Sequence, residues 1–491
     1  MKKQLIVAGF CLLSGTIFAQ NEVDALRYSS VDVVGTARFQ SLGGAFTALG
    51  VDMTSAATNP AGIAANRSSQ FQFTPAIYGI SASSNFAGNQ TSDLKLNLNI
   101  GSWGFIGTFG NKWSKDPNKG IQSFSLGLTY TRLGNFHQNL FSENPNSSSS
   151  LMDSYLENLN RGNGTSTDVL NSQGSYLFNE NLAYQTYLLN PDSVLADHYT
   201  SVVQSSGNTQ SFRLETIGRI GETNFTFGTN VANKLHLGLG VGISRIRYTE
   251  KTTYSETDAK FAYNGFDNFS YARYLKTQGS GFNVKIGLIY RPSNWFRLGA
   301  SAISPTIYQM ADTYYNSMSS NLDTAQYIYN SPNGSYNYTL STAPRFNGGL
   351  AFIIGKLGLI TADYEFIYYP LARLSANDGY SFTTENQNTR NFYRPTGNIR
   401  MGTEWKIANM SIRAGAVLFG NPYKSGPSYF NRMNFSLGGG YMGKHLFFDV
   451  AYVFSTYKAD YVFYDLNAGN GASAAIRNTS GNVLATFGIK F

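Results

Sequence analysis

The sequence predicts an all-β chain: a 14-stranded antiparallel transmembrane β-barrel with an N-terminal hatch in its lumen. Three observations predict it. Apolar residues alternate with small or polar ones over stretches of nine or more residues. The chain is rich in aromatics and glycine, with 33 Tyr, 35 Phe and 50 Gly but only 13% charged residues. A non-alternating segment of nearly fifty residues separates an export signal from the first strand. Lipid-facing and lumen-facing residues of a barrel average out to such a composition. After the first twenty residues no stretch is apolar for the 18 or so positions a spanning helix needs.

Lys2 and Lys3, the apolar run Leu5 to Leu13 and the small residues near Ala19 read as a signal peptide over 1–19, cut before Gln20. Cys11, the single cysteine, lies inside that signal behind Phe10, not behind the small residue of a lipoprotein signal. The mature chain then has no disulfide, thiol nucleophile or thiolate metal site. Its basic residues are scattered, so nucleic-acid binding has no patch to rest on.

The strands are read from period two. Leu235, Leu237, Leu239, Val241 and Ile243 alternate with His236, Gly238, Gly240, Gly242 and Ser244. Phe124, Leu126, Leu128 and Tyr130 do the same, as do Leu446, Phe448, Val450, Tyr452 and Phe454. These runs reach the 9–11 residues a tilted strand needs to cross hydrocarbon, whereas strands of soluble sheets are nearer five or six. The pattern places strands near 69–83, 94–110, 120–135, 209–231, 234–254, 270–291, 295–309, 338–355, 357–371, 392–408, 410–420, 430–443, 445–463 and 481–491. Short turns at Lys234, Pro292–Asn294, Lys356, Asn409 and Lys444 alternate with long connections at 136–208, 255–269, 310–337, 372–391, 421–429 and 464–480. That alternation matches periplasmic turns and extracellular loops, with both termini then periplasmic. The last strand, Val483 to Phe491, ends on an aromatic, resembling the signal read by the barrel-assembly machinery.

Residues 20–68 do not alternate, and Pro60 bars the segment from a central strand. Phe39, Leu42, Phe46, Leu49 and Ile63 would be costly to leave in water, and the lumen-facing Gly238, Gly240 and Gly242 leave room inside the barrel. The segment therefore reads as a plug, with the barrel proper spanning 69–491.

Gly35-Thr36-Ala37-Arg38, Gly43-Gly44-Ala45 and Thr58-Asn59-Pro60-Ala61-Gly62 resemble the N-terminal hatch of the FadL/TodX family of outer-membrane transporters. Later stretches agree, among them Gly287-Leu288-Ile289-Tyr290-Arg291-Pro292, Ala362-Asp363-Tyr364 and Arg400-Met401-Gly402-Thr403-Glu404-Trp405. The resemblance implies passive uptake of hydrophobic compounds, long-chain fatty acids or aromatic hydrocarbons, across the outer membrane. It implies a pocket against the hatch, with Asn59, Pro60 and Ala61 the matching hatch residues. The apolar Phe39, Leu42, Phe46 and Leu49 of the plug join them as candidate pocket residues. It also implies a sideways exit beside a kinked third strand, with Gly127 or Gly134 marking the kink. No cofactor or metal is expected, and the partners are outer-membrane lipid and the hydrophobic solute.

The long connection 136–208 departs from a plain loop, with helical stretches expected near Leu151–Leu159 and Asn181–Leu189. Tyr155, Leu156, Leu159, Tyr184, Tyr187 and Leu188 would make either an apolar mouth or a surface lid. An enzyme is not expected, because none of His137, His198, His236 and His445 pairs with a Ser or Asp at the outer boundary. The alternative reading is a barrel of the same shape that docks proteins for secretion or surface attachment.

Overall fold

Nineteen ladder segments form one closed sheet of fourteen strands, because five of the segments continue a neighbour across a bulge or break. The strands are β1 (Gln70–Phe86), β2 (Asn89–Gly110), β3 (Ile121–Asn135, continued by Gln138–Asn144), β4 (Thr209–Val231), β5 (Leu235–Thr257), β6 (Asn268–Tyr290) and β7 (Phe296–Ile303, continued by Ile307–Asn321). They go on with β8 (Gln326–Asn330, Gly334–Ser341 and Arg345–Ile354), β9 (Gly358–Tyr368 with Arg373–Ser375), β10 (Pro395–Ile407), β11 (Met410–Gly420), β12 (Phe430–Met442), β13 (Leu446–Tyr464) and β14 (Ala472–Lys490). Each pairs antiparallel with the next, and β14 closes on β1 from Gln70↔Lys490 to Phe86↔Ala474. The computed structural model describes residues 21–491 apart from 111–115, 117, 173–176, 259–264, 324, 377, 427–429, 468 and 470. The expected signal at 1–19 lies outside the described residues.

Alternation puts one face of each strand in lipid. On β5, Leu237, Leu239, Val241 and Ile243 are exposed, as are Phe225 and Phe227 of β4 and Phe282, Val284, Ile286 and Leu288 of β6. Exposed apolar side chains in register over this many rows make the band that hydrocarbon covers in an outer-membrane barrel. Among the described residues no helix is long and apolar enough to cross a membrane.

Several strands outrun their sequence-based bounds at the long-loop end. β7 runs to Asn321 and β8 begins at Gln326, so the long loop expected at 310–337 is mostly a hairpin. β14 begins at Ala472, inside the loop expected at 464–480. Above the hydrocarbon the ladder continues in water, where outward residues such as Thr313, Tyr315 and Ser317 no longer contrast with inward ones. Period two in hydrophobicity then vanishes while the hydrogen bonds persist. The first hairpin turns on two residues, Ala87 (φ 51) and Gly88 (φ 94).

Residues 21–69 thread the lumen. They form α1 (Glu22–Ser29), α2 (Ala37–Ser41), α3 (Ser55–Thr58) and a 3₁₀ helix Pro60–Ala65. Three of the four starts have a polar cap: Asn21 Oδ1 accepts from Val23 N, Thr36 Oγ1 from Phe39 N, and Asn59 Oδ1 from Ala61 N. Pro60 sits at the first helical position, where its missing N–H costs nothing. The segment enters beside β1 at the short-turn end and climbs, so that α1 lies against α7 (Thr383–Phe392) in the long connection after β9. Tyr393 Oη donates to Glu22 O there. Phe491 lies at the short-turn end, with its N–H on Ser69 O, while Glu22 lies toward the long-loop end. A chain of apolar hatch residues finds cover only by running up the lumen.

Barrel glycines make room for this backbone. A Cβ on Gly238 would lie 2.1 Å from Ala61 N, and one on Gly415 2.2 Å from Gly43 N. Gly238→Val and Gly415→Val should each leave an assembled barrel but unseat the hatch, at a cost of about 1–3 kcal/mol from overpacking. Heat-modifiable gel mobility reports the barrel, and limited proteolysis of residues 35–65 reports the hatch.

Candidate functional site: hatch, lumen and wall gap

Among the described residues the wall opens between β2 and β3. Their ladder runs from Gly110↔Ser123 to Ser102↔Thr131 and stops. Above it β2 still pairs with β1, through to Asn89↔Phe86, and β3 still pairs with β4. Among the described residues, β2 from 92 to 101 has no ladder partner on the β3 side. The two strands meet again at the top, where Thr91 Oγ1 donates to Phe141 O (2.5 Å) and Asn89 Nδ2 to Glu143 O (2.9 Å). Lys95 reaches across to Glu215 on β4, 2.8 Å away.

Local chemistry explains the break. β3 carries one extra residue between Arg132 and Gly134, shifting its register on β4. Opposite the bulge, Gly218 adopts φ 155, and a Cβ there would sit 2.1 Å from Arg247 O. Arg132 Nη2 and Phe136 N both donate to the Gly218 carbonyl. The bulge therefore bends β3 away from β2 at Leu133–His137. Gly134 falls at this kink, whereas Gly127 lies in regular ladder, opposite Ile106 and Thr226.

The hatch touches the kink directly. Asp32 N donates to Leu133 O (2.9 Å). Tyr28 meets Phe136 edge-on at 6.0 Å, and Phe136 meets Tyr248 at 5.2 Å. Asp32 is also held by Arg432 of β12 at 2.6 Å, whose guanidinium lies 4.8 Å over Phe419. Two lumenal cavities flank the segment 32–34. One, of about 50 Å³, is lined by Tyr78, Asn99, Gly101, Arg132, Gly134 and Arg432 among others, next to the gap. The other, of about 60 Å³, borders Tyr28, Phe39, Leu133, Lys285 and Arg345. Each has room for a few waters, far less than an acyl chain needs.

The residues singled out in the sequence fall into three groups. Phe39, Leu42, Phe46 and Leu49 are buried together with Val33, Val417 and Phe419, and Phe39 stacks on Phe46 at 5.0 Å. Of these four, Phe39 alone borders a cavity. Asn59 is an anchor: its Nδ2 donates to Thr47 O (2.7 Å) and to Leu288 O of β6 (3.2 Å). Pro60 and Ala61 press on the glycines of β5. The cavity-lining Asp32, Val34, Tyr78 and Arg132 carried no sequence signal, because each owes its place to the bulge or to the threading of the hatch.

Ion pairs fasten hatch to wall. Arg38 Nε lies 2.9 Å from Glu404, which Arg413 shares at 2.6 Å, and Arg413 also holds Asp449 at 2.6 Å. Thr47 N donates to Asp363 at 2.8 Å. At the upper end Asp24 is ion-paired with Arg27 at 2.6 Å, and the guanidinium stacks on Tyr248 at 4.6 Å.

The top of the lumen is closed by the long connection. α4 (Leu151–Leu159) and α6 (Phe178–Gln185) pack Leu151, Met152, Tyr155, Leu159, Leu182 and Leu188 against Phe212, Tyr254, Phe269 and Met318 of the barrel wall. The apolar residues of this connection form a packed cap; Tyr187 alone of those singled out stays exposed, tilted on Tyr327 at 4.6 Å.

Two outcomes follow. Glu404→Gln leaves two guanidiniums facing a neutral amide and should lower stability by about 3–5 kcal/mol, read by thermal unfolding of the purified barrel. Burial pushes the Asp24 carboxyl from 3.8 up to about 7, against the pull of Arg27. The fold favours the neutral acid, so docking of α1 is strongest below about pH 4 and weakens as pH rises to about 7, then levels off. Hydrogen exchange of residues 22–29, corrected for intrinsic rate, should follow that course, and Asp24→Asn should flatten it.

No family model and no curated protein sequence matches the chain. Solved structures do. The toluene transporter TodX of P. putida superposes with a TM-score of 0.55 at 13% identity, over 94% of this chain and 99% of its own. A Pseudomonas aeruginosa FadL homologue gives 0.54 at 13% identity, over the same shares. An outer-membrane barrel whose strand number, hatch and coverage agree with both along nearly the whole chain has the FadL/TodX-family fold.

Proposed function

We propose that the protein lets hydrophobic small molecules cross the outer membrane passively and leave sideways through the gap between β2 and β3. The observation that carries this reading is the ladder that stops at Ser102↔Thr131. Unpaired backbone facing hydrocarbon costs several kcal/mol per group, so a wall break at membrane depth is an expensive feature with one obvious use. Leu96, Leu98 and Ile100 line its outer lip and are exposed to lipid. A solute released there moves from protein to acyl chains without meeting water, which would otherwise charge it about 0.8 kcal/mol per CH₂.

The substrate class is long-chain fatty acids or aromatic hydrocarbons; a transporter of toluene shares the fold. Because both cavities are small, a binding pocket forms only when the hatch shifts about Asp32–Val34, with Phe39 at its edge and Leu42, Phe46, Leu49, Asn59, Pro60 and Ala61 holding the rest of the hatch in register. Gly134, at the bulge, marks the opening, and Gly127 does not.

The packed lumen favours a second reading, a barrel that docks proteins through its long loops. Gly134→Trp together with Asn99→Trp should fill the gap and cut uptake of radiolabelled oleate or toluene at least about tenfold, while heat-modifiable mobility shows an intact barrel. Equal uptake by wild-type, filled-gap and deletion cells sinks transport of those compounds and leaves docking.

A further inference from the structure

On the outer face of β4, β5 and β6 the last apolar row is Thr223–Ile243–Phe282, read from the register of the three strands. The rows directly above it change character. Arg245 lies beside Gly221 and Ser280, Arg247 faces Arg219 and Gln278, Thr249 lies between exposed Ile217 and Lys276, and Lys251 faces Glu215 and Tyr274. Arg219, Arg245, Arg247, Lys251 and Lys276 are all in the exposed class. The one acid among them, Glu215, is engaged by Lys95 at 2.8 Å. Arg219, Arg245, Arg247 and Lys276 have no ion pair among the described residues.

Arg219 and Arg247 stand directly opposite each other across the ladder. Like charges so placed destabilise a sheet unless an anion sits between them. At this height that anion has to come from the membrane boundary, two outward rows above the end of a belt made of Phe225, Val241, Ile243 and Phe282. We infer that this patch binds a phosphorylated glycolipid of the outer leaflet, its phosphates on the guanidiniums and its acyl chains along the belt. The inference rests on the long-loop end facing outward. Arginine forks match phosphate oxygens bidentately, which a lysine cannot do. Free phosphate satisfies only half of the site, because it has nothing to lay along the belt.

The test uses the full chain in a neutral detergent and native mass spectrometry with diphosphorylated lipid A as the probe. Wild type should retain it, and should retain its dephosphorylated form at least about tenfold less well. Arg245→Gln/Arg247→Gln/Lys276→Gln should weaken retention on the order of a hundredfold, at about fivefold per charge near an anionic surface. Lys356→Gln/Lys406→Gln/Lys444→Gln removes equal charge at the short-turn end and should change nothing. All three substituted patch positions are exposed, and heat-modifiable mobility checks that each variant is folded. Equal retention of both lipids by wild type, equal loss in both triple variants, or full displacement of the lipid by millimolar inorganic phosphate at matched ionic strength overturns the inference.

Discussion

A peptide group in hydrocarbon has no partner but another peptide group, and the closed ladder is the arrangement that gives every strand two neighbours. The pairing of β14 with β1 over nearly its whole length removes the last free edges. From this constraint follow the alternation of side chains, the apolar belt and the need to keep irregular backbone off the lipid face. It also sets the meaning of the interruption between β2 and β3. β2 and β3 separate just above Ser102↔Thr131, where outward Leu98 and Ile100 still face lipid. A bulge of one residue is enough, because an inserted residue both bends the strand and uses up the register.

The same barrel must also hold forty-odd residues of irregular chain in its lumen. Apolar contact alone would let such a plug slide. Directional bonds prevent this: Asn59 to the β6 backbone, Thr47 to Asp363, and Arg38 to the Glu404–Arg413–Asp449 chain. Glycine at the contact points lets main chain approach main chain, which side chains would forbid. The lower hatch is therefore clamped by charge and hydrogen bonds, while α1 above adds aromatic edges to its hydrogen bonds from Tyr393 and Ala343.

Legibility in the sequence followed hydrophobic contrast. β4 and β11 could be bounded to the residue, because a lipid face alternates with a lumenal one along much of each strand. The upper halves of β7, β8 and β14 could not, since both faces there are polar or aromatic. α4 was legible as an apolar helical stretch near Leu151–Leu159, whereas α7, with Thr383 to Phe392 almost wholly polar, gave no periodic signal. The hatch motif Asn59-Pro60-Ala61 was read from a resemblance, and its physical role as cap and anchor became clear only with β6 beside it. The gap itself depends on which strand lacks a neighbour, a property of pairing that no local pattern carries.

Closure at both ends raises the question of what moves. The cap buries more than twenty apolar residues and the lower hatch is ion-paired, so neither is a low-cost gate. The segment between α1 and α2 is different. Val31 to Val34 separates two cavities and has few side chains buried in either core. It is tied to the wall by Asp32, whose N–H lies on Leu133 and whose carboxylate lies on Arg432. Both bonds land on the elements that border the gap-side cavity. A solute that displaces this segment must loosen the Leu133 carbonyl at the same time, and Leu133 is the residue inserted at the bulge. Hatch and wall are thus linked by a hydrogen bond at the kink, which on the proposed route would couple making room in the lumen to freeing the edge of the gap.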